Sequence, residues 1–175
     1  MSESIKKLTA LGQSLWYDNI QRKLLVNGEL KAMIERGDIR GVTSNPTIFQ
    51  NAIGKTNDYD AALIPLAWAG WDAEKIFWQL AVEDIQEACD LFAPLYEESK
   101  GGDGYVSIEV SPNLARDTEG TTRQAQELLG RVNRPNLMVK IPATKEGIPA
   151  IRASIAAGIK ANGTRHLSVS REARV

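Results

Sequence analysis

Strand-like and helix-like segments alternate along this chain, and that alternation predicts an α/β fold built on a parallel sheet. The candidate strands recur about every 36 residues, which leaves room for a helical crossover between parallel neighbours. Their polar residues gather on one face near the C-terminal ends, where parallel α/β proteins build their sites. The composition fits one core: of 175 residues, 43% are hydrophobic and 25% charged, ordinary for a globular domain and too apolar for disorder.

The elements follow in order. Gln13 to Asp18 (QSLWYD) reads as a first strand. Ile20, Leu24 and Leu25, then Leu30, Met33 and Ile34, mark helical turns on either side of an Asn27-Gly28 break. A second strand spans Gly41 to Asn45 and is stopped by Pro46. A polar loop around Gly54 to Asp58 leads to Trp68 and Trp71, which with Trp78 are read as packing residues. From about Asp72 to Glu97, Ile76, Leu80, Ala81, Ile85, Ala88 and Phe92 recur at helical spacing. The glycines at 101, 102 and 104 close that helix and lead into a third strand, Tyr105 to Val110. Ala125, Leu128, Leu129 and Val132 mark the next helix, with Asp117 and Glu119 at its start. Leu137 to Ile141 forms a fourth strand. A helix follows with Pro149 in its first turn and Gly158 past its end, and a fifth strand is read over 159–168. No linker divides the chain. A barrel of eight such units takes roughly 250 residues, so the chain holds four to five of them: either the sheet stays open or the chain is part of something larger.

Several function classes are excluded. Twenty-one Lys and Arg against 22 Asp and Glu leave a net charge of −1, so there is no basic field for nucleic acid or an anionic membrane. No apolar run reaches the roughly 18 residues of a membrane span. Lys6 and Lys7 precede no apolar stretch, so no secretory signal is expected. Cys89 has no disulfide partner, and with His166 alone it cannot hold zinc. The expected location is the cytoplasm, with no metal or cofactor.

Strand alternation sorts the polar residues. Trp16 and Asp18 share one face of the first strand, Thr43 and Asn45 of the second, Ser107 and Glu109 of the third, and Met138 and Lys140 of the fourth. Charged groups are costly in a core, which leaves two readings of this row. One is an ion-pair cluster of Lys140 with Glu109 or Asp18. The other is catalysis: a strand-borne amine attacks a carbonyl to form a Schiff base, and flanking carboxylates divide the proton transfers. The protonated imine is itself an electron sink, so no cofactor is required.

The segments SLWYDNIQRKLL, GDIRGVTSNPTIFQ, YVSIEVSPNLARDTEGT and NLMVKIPAT closely resemble transaldolases of the longer bacterial branch, some of which are fused to a phosphoglucose isomerase domain. The likeness runs almost continuously from Leu11 to Ala157. It implies a partial (β/α)8 TIM barrel, and ping-pong transfer of a dihydroxyacetone unit from sedoheptulose 7-phosphate or fructose 6-phosphate to an aldose phosphate in the pentose phosphate pathway. By the same resemblance Lys140 is the Schiff-base lysine, and Asp18 takes the donor hydroxyl proton during carbon–carbon cleavage. Glu109 works through a water on carbinolamine formation and dehydration. Asn45 positions substrate, and Thr43, Thr164 and Trp16 join it as binding candidates.

Where family members continue with a strand resembling GINVNVTLLFS, this chain has GIKANGTRHLS, placing Arg165 on the face expected to be apolar. The later strands, which in the family grip the substrate phosphate, have no counterpart. The chain is therefore expected to be an N-terminal part with little or no turnover of its own. Two other functions stay open: a non-catalytic fragment that self-associates through open sheet edges, and a related lysine-type sugar-phosphate aldolase.

Overall fold

The computed structural model describes residues 3–164. Five strands form one parallel sheet in the order β1-β2-β3-β4-β5: β1 (Trp16–Tyr17), β2 (Gly41–Thr43), β3 (Tyr105–Glu109), β4 (Leu137–Pro142) and β5 (Ala161–Thr164). Each strand lies beside the next in sequence. A doubly wound sheet reverses its strand order at a switch point; this one never does, which is the winding of a (β/α)8 barrel. Among the described residues β1 and β5 each pair with a single strand.

Helices α1 (Glu3–Ala10), α2 (Arg22–Val26), α3 (Glu29–Glu35), α4 (Pro46–Lys55), α5 (Asp60–Trp68), α6 (Ala73–Glu98), α7 (Thr118–Val132) and α8 (Gly147–Ala156) complete the fold. The core lies between sheet and helices. Val42, Val106, Ile108, Val139 and Ile141 turn one face of the strands onto Ile85, Ala88 and Phe92 of α6 and Ala125 and Leu128 of α7, all essentially inaccessible. In β4 buried and half-buried residues alternate strictly, so Met138 and Lys140 must face away from the helices.

The helix boundaries follow local chemistry. Asp72 caps α6 through Lys75 N, and Asp117 caps α7 through Gly120 N, each at ordinary hydrogen-bond distance. Gly104, at φ +81°, lets the chain turn from α6 into β3, and a Cβ there would lie 2.5 Å from Tyr96 N, so only glycine fits. Asn27 and Gly28 separate α2 from α3 as read from the sequence.

A buried polar cluster ties α2 to α6. Asp84, 1% exposed, accepts from Tyr59 Oη at 2.6 Å and from Arg22 Nε at 2.8 Å. Arg22 also reaches Glu83, and its backbone N–H donates to Tyr59 Oη. Burial, reinforced by the Asp84 charge, pushes the Tyr59 hydroxyl well above the ordinary tyrosine range.

Several expectations are corrected. Gly54 and Lys55 do not begin a loop; they end α4. The Asn45-Pro46 pair that stops β2 also starts this helix, because Pro suits a first helical position as well as a strand end. Trp68 is not a packing residue: it closes α5 and is 87% exposed. The first strand is ladder-paired only at Trp16 and Tyr17. Of the fifth, Ala161–Thr164 is paired with β4, whereas Arg165, His166, Leu167 and Ser168 lie outside the described residues.

Candidate active site

Strand register builds the site. Thr43 pairs with Ser107 across β2 and β3, Glu109 with Lys140 across β3 and β4, and Lys140 with Asn162 across β4 and β5. Parallel neighbours in register point their side chains to the same side, so these residues form one polar layer.

The Lys140 amine is the centre of that layer. Its Nζ donates to Thr43 Oγ1 at 3.1 Å and to the Ser44 carbonyl at 3.0 Å, and it faces Glu109 Oε2 at 3.4 Å. Thr43 Oγ1 is held in turn by Ser107 Oγ at 3.1 Å, and Ser44 Oγ donates to Ser107 O. The side chains of Lys140 and Glu109 are 12% and 19% exposed, so the pair is sheltered but reachable. Thr43 and Ser44 supply the two shorter contacts, and the longest is to Glu109.

Glu109 also lines an open cleft of about 470 Å³, together with Asp18 and Asn45. Asp18 follows β1 directly and is exposed. Asn45 caps α4: its Oδ1 accepts from Ile48 N at 2.9 Å. With the oxygen engaged, the amide Nδ2 is left to donate, and no partner for it exists among the described residues.

Two binding candidates remain. The Trp16 ring covers Gly41, where a Cβ would approach it to 2.6 Å, and its indole N–H donates to Ser14 Oγ at 3.0 Å. Ser14 reaches Asp103, which Arg40 also holds. Ser14 precedes the strand and Asp103 precedes β3, so this cluster sits at the N-terminal edge of the sheet, opposite the Lys140 end. Thr164 pairs with Pro142, two residues beyond Lys140, and its carbonyl accepts from Ala143 N. The geometry thus joins Lys140, Glu109 and Thr43 directly, brings Asp18 and Asn45 to the same cleft through Glu109, and leaves Trp16 apart. Sequence reading put Ser107 on the polar face without a role and missed the Ser44 carbonyl; both depend on backbone position and cross-strand pairing.

The fold and site together define an α/β barrel-type protein with a lysine amine and a carboxylate at the C-terminal edge of its strands. The chain belongs to the transaldolase/fructose-6-phosphate aldolase family, whose model matches residues 15–173. It is 45% identical over 169 residues to the transaldolase of Trichodesmium erythraeum, covering 97% of this chain and 44% of that protein. It is 47% identical to the transaldolase of Thiobacillus denitrificans over 94% of this chain and 46% of the relative. With the transaldolase of Mycobacterium tuberculosis it shares 45% over 96% of this chain and 45% of the relative. The chain therefore spans a little under half the length of these relatives.

Proposed function

We propose that this chain carries the Schiff-base machinery of a transaldolase, moving a dihydroxyacetone unit from a ketose phosphate to an aldose phosphate. The observation that supports it best is the Lys140 amine, sheltered at 12% exposure, with Thr43, Ser44 and Glu109 around it and Asp18 and Asn45 on the adjoining cleft. A purely structural ion pair needs no open cleft on its carboxylate.

The steps follow from that arrangement. The neutral Lys140 amine attacks the ketose carbonyl carbon, forming a carbinolamine. Glu109, the carboxylate beside the amine, shuttles the protons that let water depart and leave an iminium. Asp18 removes the proton of the hydroxyl on the far carbon of the bond to be broken, which becomes the carbonyl of the departing aldose. The carbon–carbon bonding pair then flows into the iminium, and an aldose leaves. The remaining enamine carbon attacks the acceptor aldehyde, Asp18 returns the proton to the new alkoxide, and water hydrolyses the imine. Asn45 donates to substrate hydroxyls. Thr43 steadies the amine, and Thr164 is assigned to substrate contact by its place on β5. Trp16, at the other edge, supports the strand under Asp18. The cytoplasmic pentose phosphate pathway is the proposed setting, with sugar phosphates as the proposed substrates.

Borohydride trapping with fructose 6-phosphate, read by mass spectrometry, tests the proposal. A reduced adduct on Lys140 that disappears in Lys140→Met is expected; an intact chain with no adduct, or an adduct elsewhere, refutes it. Because the chain covers under half of its relatives, its turnover when assayed alone is expected to fall far below theirs. A coupled assay with and without acceptor separates transfer from simple aldol cleavage. The edges of β1 and β5 that are unshared among the described residues favour self-association as a second property; a monomer by light scattering across a concentration series overturns it.

A further inference from the structure

Beyond the catalytic groups, the cleft has a second polar wall. It is formed by α4, the helix that Asn45 caps, and carries Thr47 and Asn51. These residues are four apart and therefore stack on one helix face, about 5–6 Å between their Cβ atoms. Both are exposed, and neither side chain has a hydrogen-bond partner among the described residues. Both are neutral, and between them they present donors and acceptors. The same wall includes Ile48, and Pro112 stands near Glu109 on the cleft lining.

We propose that Thr47 and Asn51 form a hydroxyl-reading subsite for the part of the sugar chain that lies beyond the carbon–carbon bond being broken. The inference rests on the Schiff-base reading. Glu109 fixes the direction: it contacts the Lys140 amine on one side and lines the cleft on the other. A three-carbon ketone bound to Lys140 lies beside Glu109. A longer ketose extends past Glu109 into the cleft, where α4 supplies a neutral, uncommitted hydrogen-bonding pair. Such a pair recognises vicinal hydroxyls and rejects an apolar tail, which would leave both side chains unpaired. Neither residue carries a charge to hold phosphate, so the phosphate lies elsewhere.

The test uses borohydride trapping on the full 175-residue chain, with dihydroxyacetone, fructose and fructose 6-phosphate as probes. The variants are Thr47→Val and Asn51→Leu, both at exposed positions, with circular dichroism confirming an unchanged melting temperature. Each variant is expected to raise the concentration for half-maximal trapping of fructose and of fructose 6-phosphate by about fivefold, the size of one neutral hydrogen bond, and to leave dihydroxyacetone unchanged. Asn51→Gln, which keeps the amide, is expected to recover part of the loss. Equal trapping of all three probes by wild type and variants overturns the subsite while leaving the Schiff base standing. A loss confined to fructose 6-phosphate assigns the wall to phosphate and overturns the hydroxyl reading. A wild-type chain that traps no probe overturns the Schiff-base reading, and the subsite with it.

Discussion

Asn45 performs two tasks with two atoms, and substitution can separate them. Its Oδ1 accepts from Ile48 N at 2.9 Å and caps α4, while its Nδ2 is the donor assigned to substrate. Asn45→Ala removes both. Loss of a cap costs about 1 kcal/mol, which for a chain of this size lowers the melting temperature by roughly 2–4 °C. Asn45→Asp keeps an oxygen in the capping position, and a negative charge there suits the positive end of the helix. Its melting temperature is therefore expected within about 1 °C of wild type. It also replaces the donating amide with a carboxylate oxygen, in a cleft already lined by Asp18 and Glu109. Trapping of fructose 6-phosphate on Lys140 is expected to fall about fivefold, since the hydrogen bond that the amide donates is lost. Thermal melts by circular dichroism and adduct yield by mass spectrometry measure the two effects separately. Should Asn45→Asp melt as low as Asn45→Ala, the capping argument is wrong. Should it trap substrate as wild type does, the donor argument is wrong.

Three further outcomes are expected. Asp84→Ala strips the acceptor from Tyr59 Oη and Arg22 Nε in a site where Asp84 is 1% exposed; it should cost about 3 kcal/mol, read from urea midpoints, and a loss below about 0.5 kcal/mol contradicts the buried network. Burial pushes the Cys89 thiol from 9.0 up to about 12, so the fold favours its protonated form. That stability is full below pH 9 and is lost as pH rises toward 12, at up to about 1.4 kcal/mol per pH unit; the difference between wild type and Cys89→Ala across alkaline pH should show this slope, and a flat difference refutes it. Gly41→Ala places a Cβ 2.6 Å from the Trp16 ring and 2.9 Å from the Tyr105 carbonyl; it should cost about 1–3 kcal/mol, and Trp16→Leu should recover only part, because the backbone contact remains.

The strands that carry the site were the most legible in sequence. In β4, Leu137, Val139 and Ile141 are buried while Met138 and Lys140 are not, and a two-residue period of this kind reports its own facing. The Asp117 cap and the Gly158 stop were legible for a similar reason: both are local chemistry. Helices α4 and α5 were not. α5 is apolar around its whole circumference, with no residue fully buried, so it has no stripe to detect, and Trp68 at its end gives no sign of which way it points. α4 was hidden by Asn45-Pro46, which ends a strand and begins a helix with the same two residues. Thr47 and Asn51 were lost with it. Asp84 does leave a trace, as a charge on the apolar stripe between Leu80 and Ile85, but only the tertiary fold brings Arg22 and Tyr59 to it. The Lys140–Glu109 pairing was open between two carboxylates until register was known.

That register has a bearing on how the chain tolerates change. Glu109, Lys140 and Asn162 are successive ladder partners, so their separation is the interstrand repeat of about 4.8 Å, an invariant of the hydrogen-bonded lattice. Loop insertions leave that spacing alone, whereas deleting one residue within β4 would swing the amine to the helix side and turn an aliphatic neighbour into the polar layer. Drift in surface segments can thus be extensive while Glu109, Lys140 and Asn162 keep their metric.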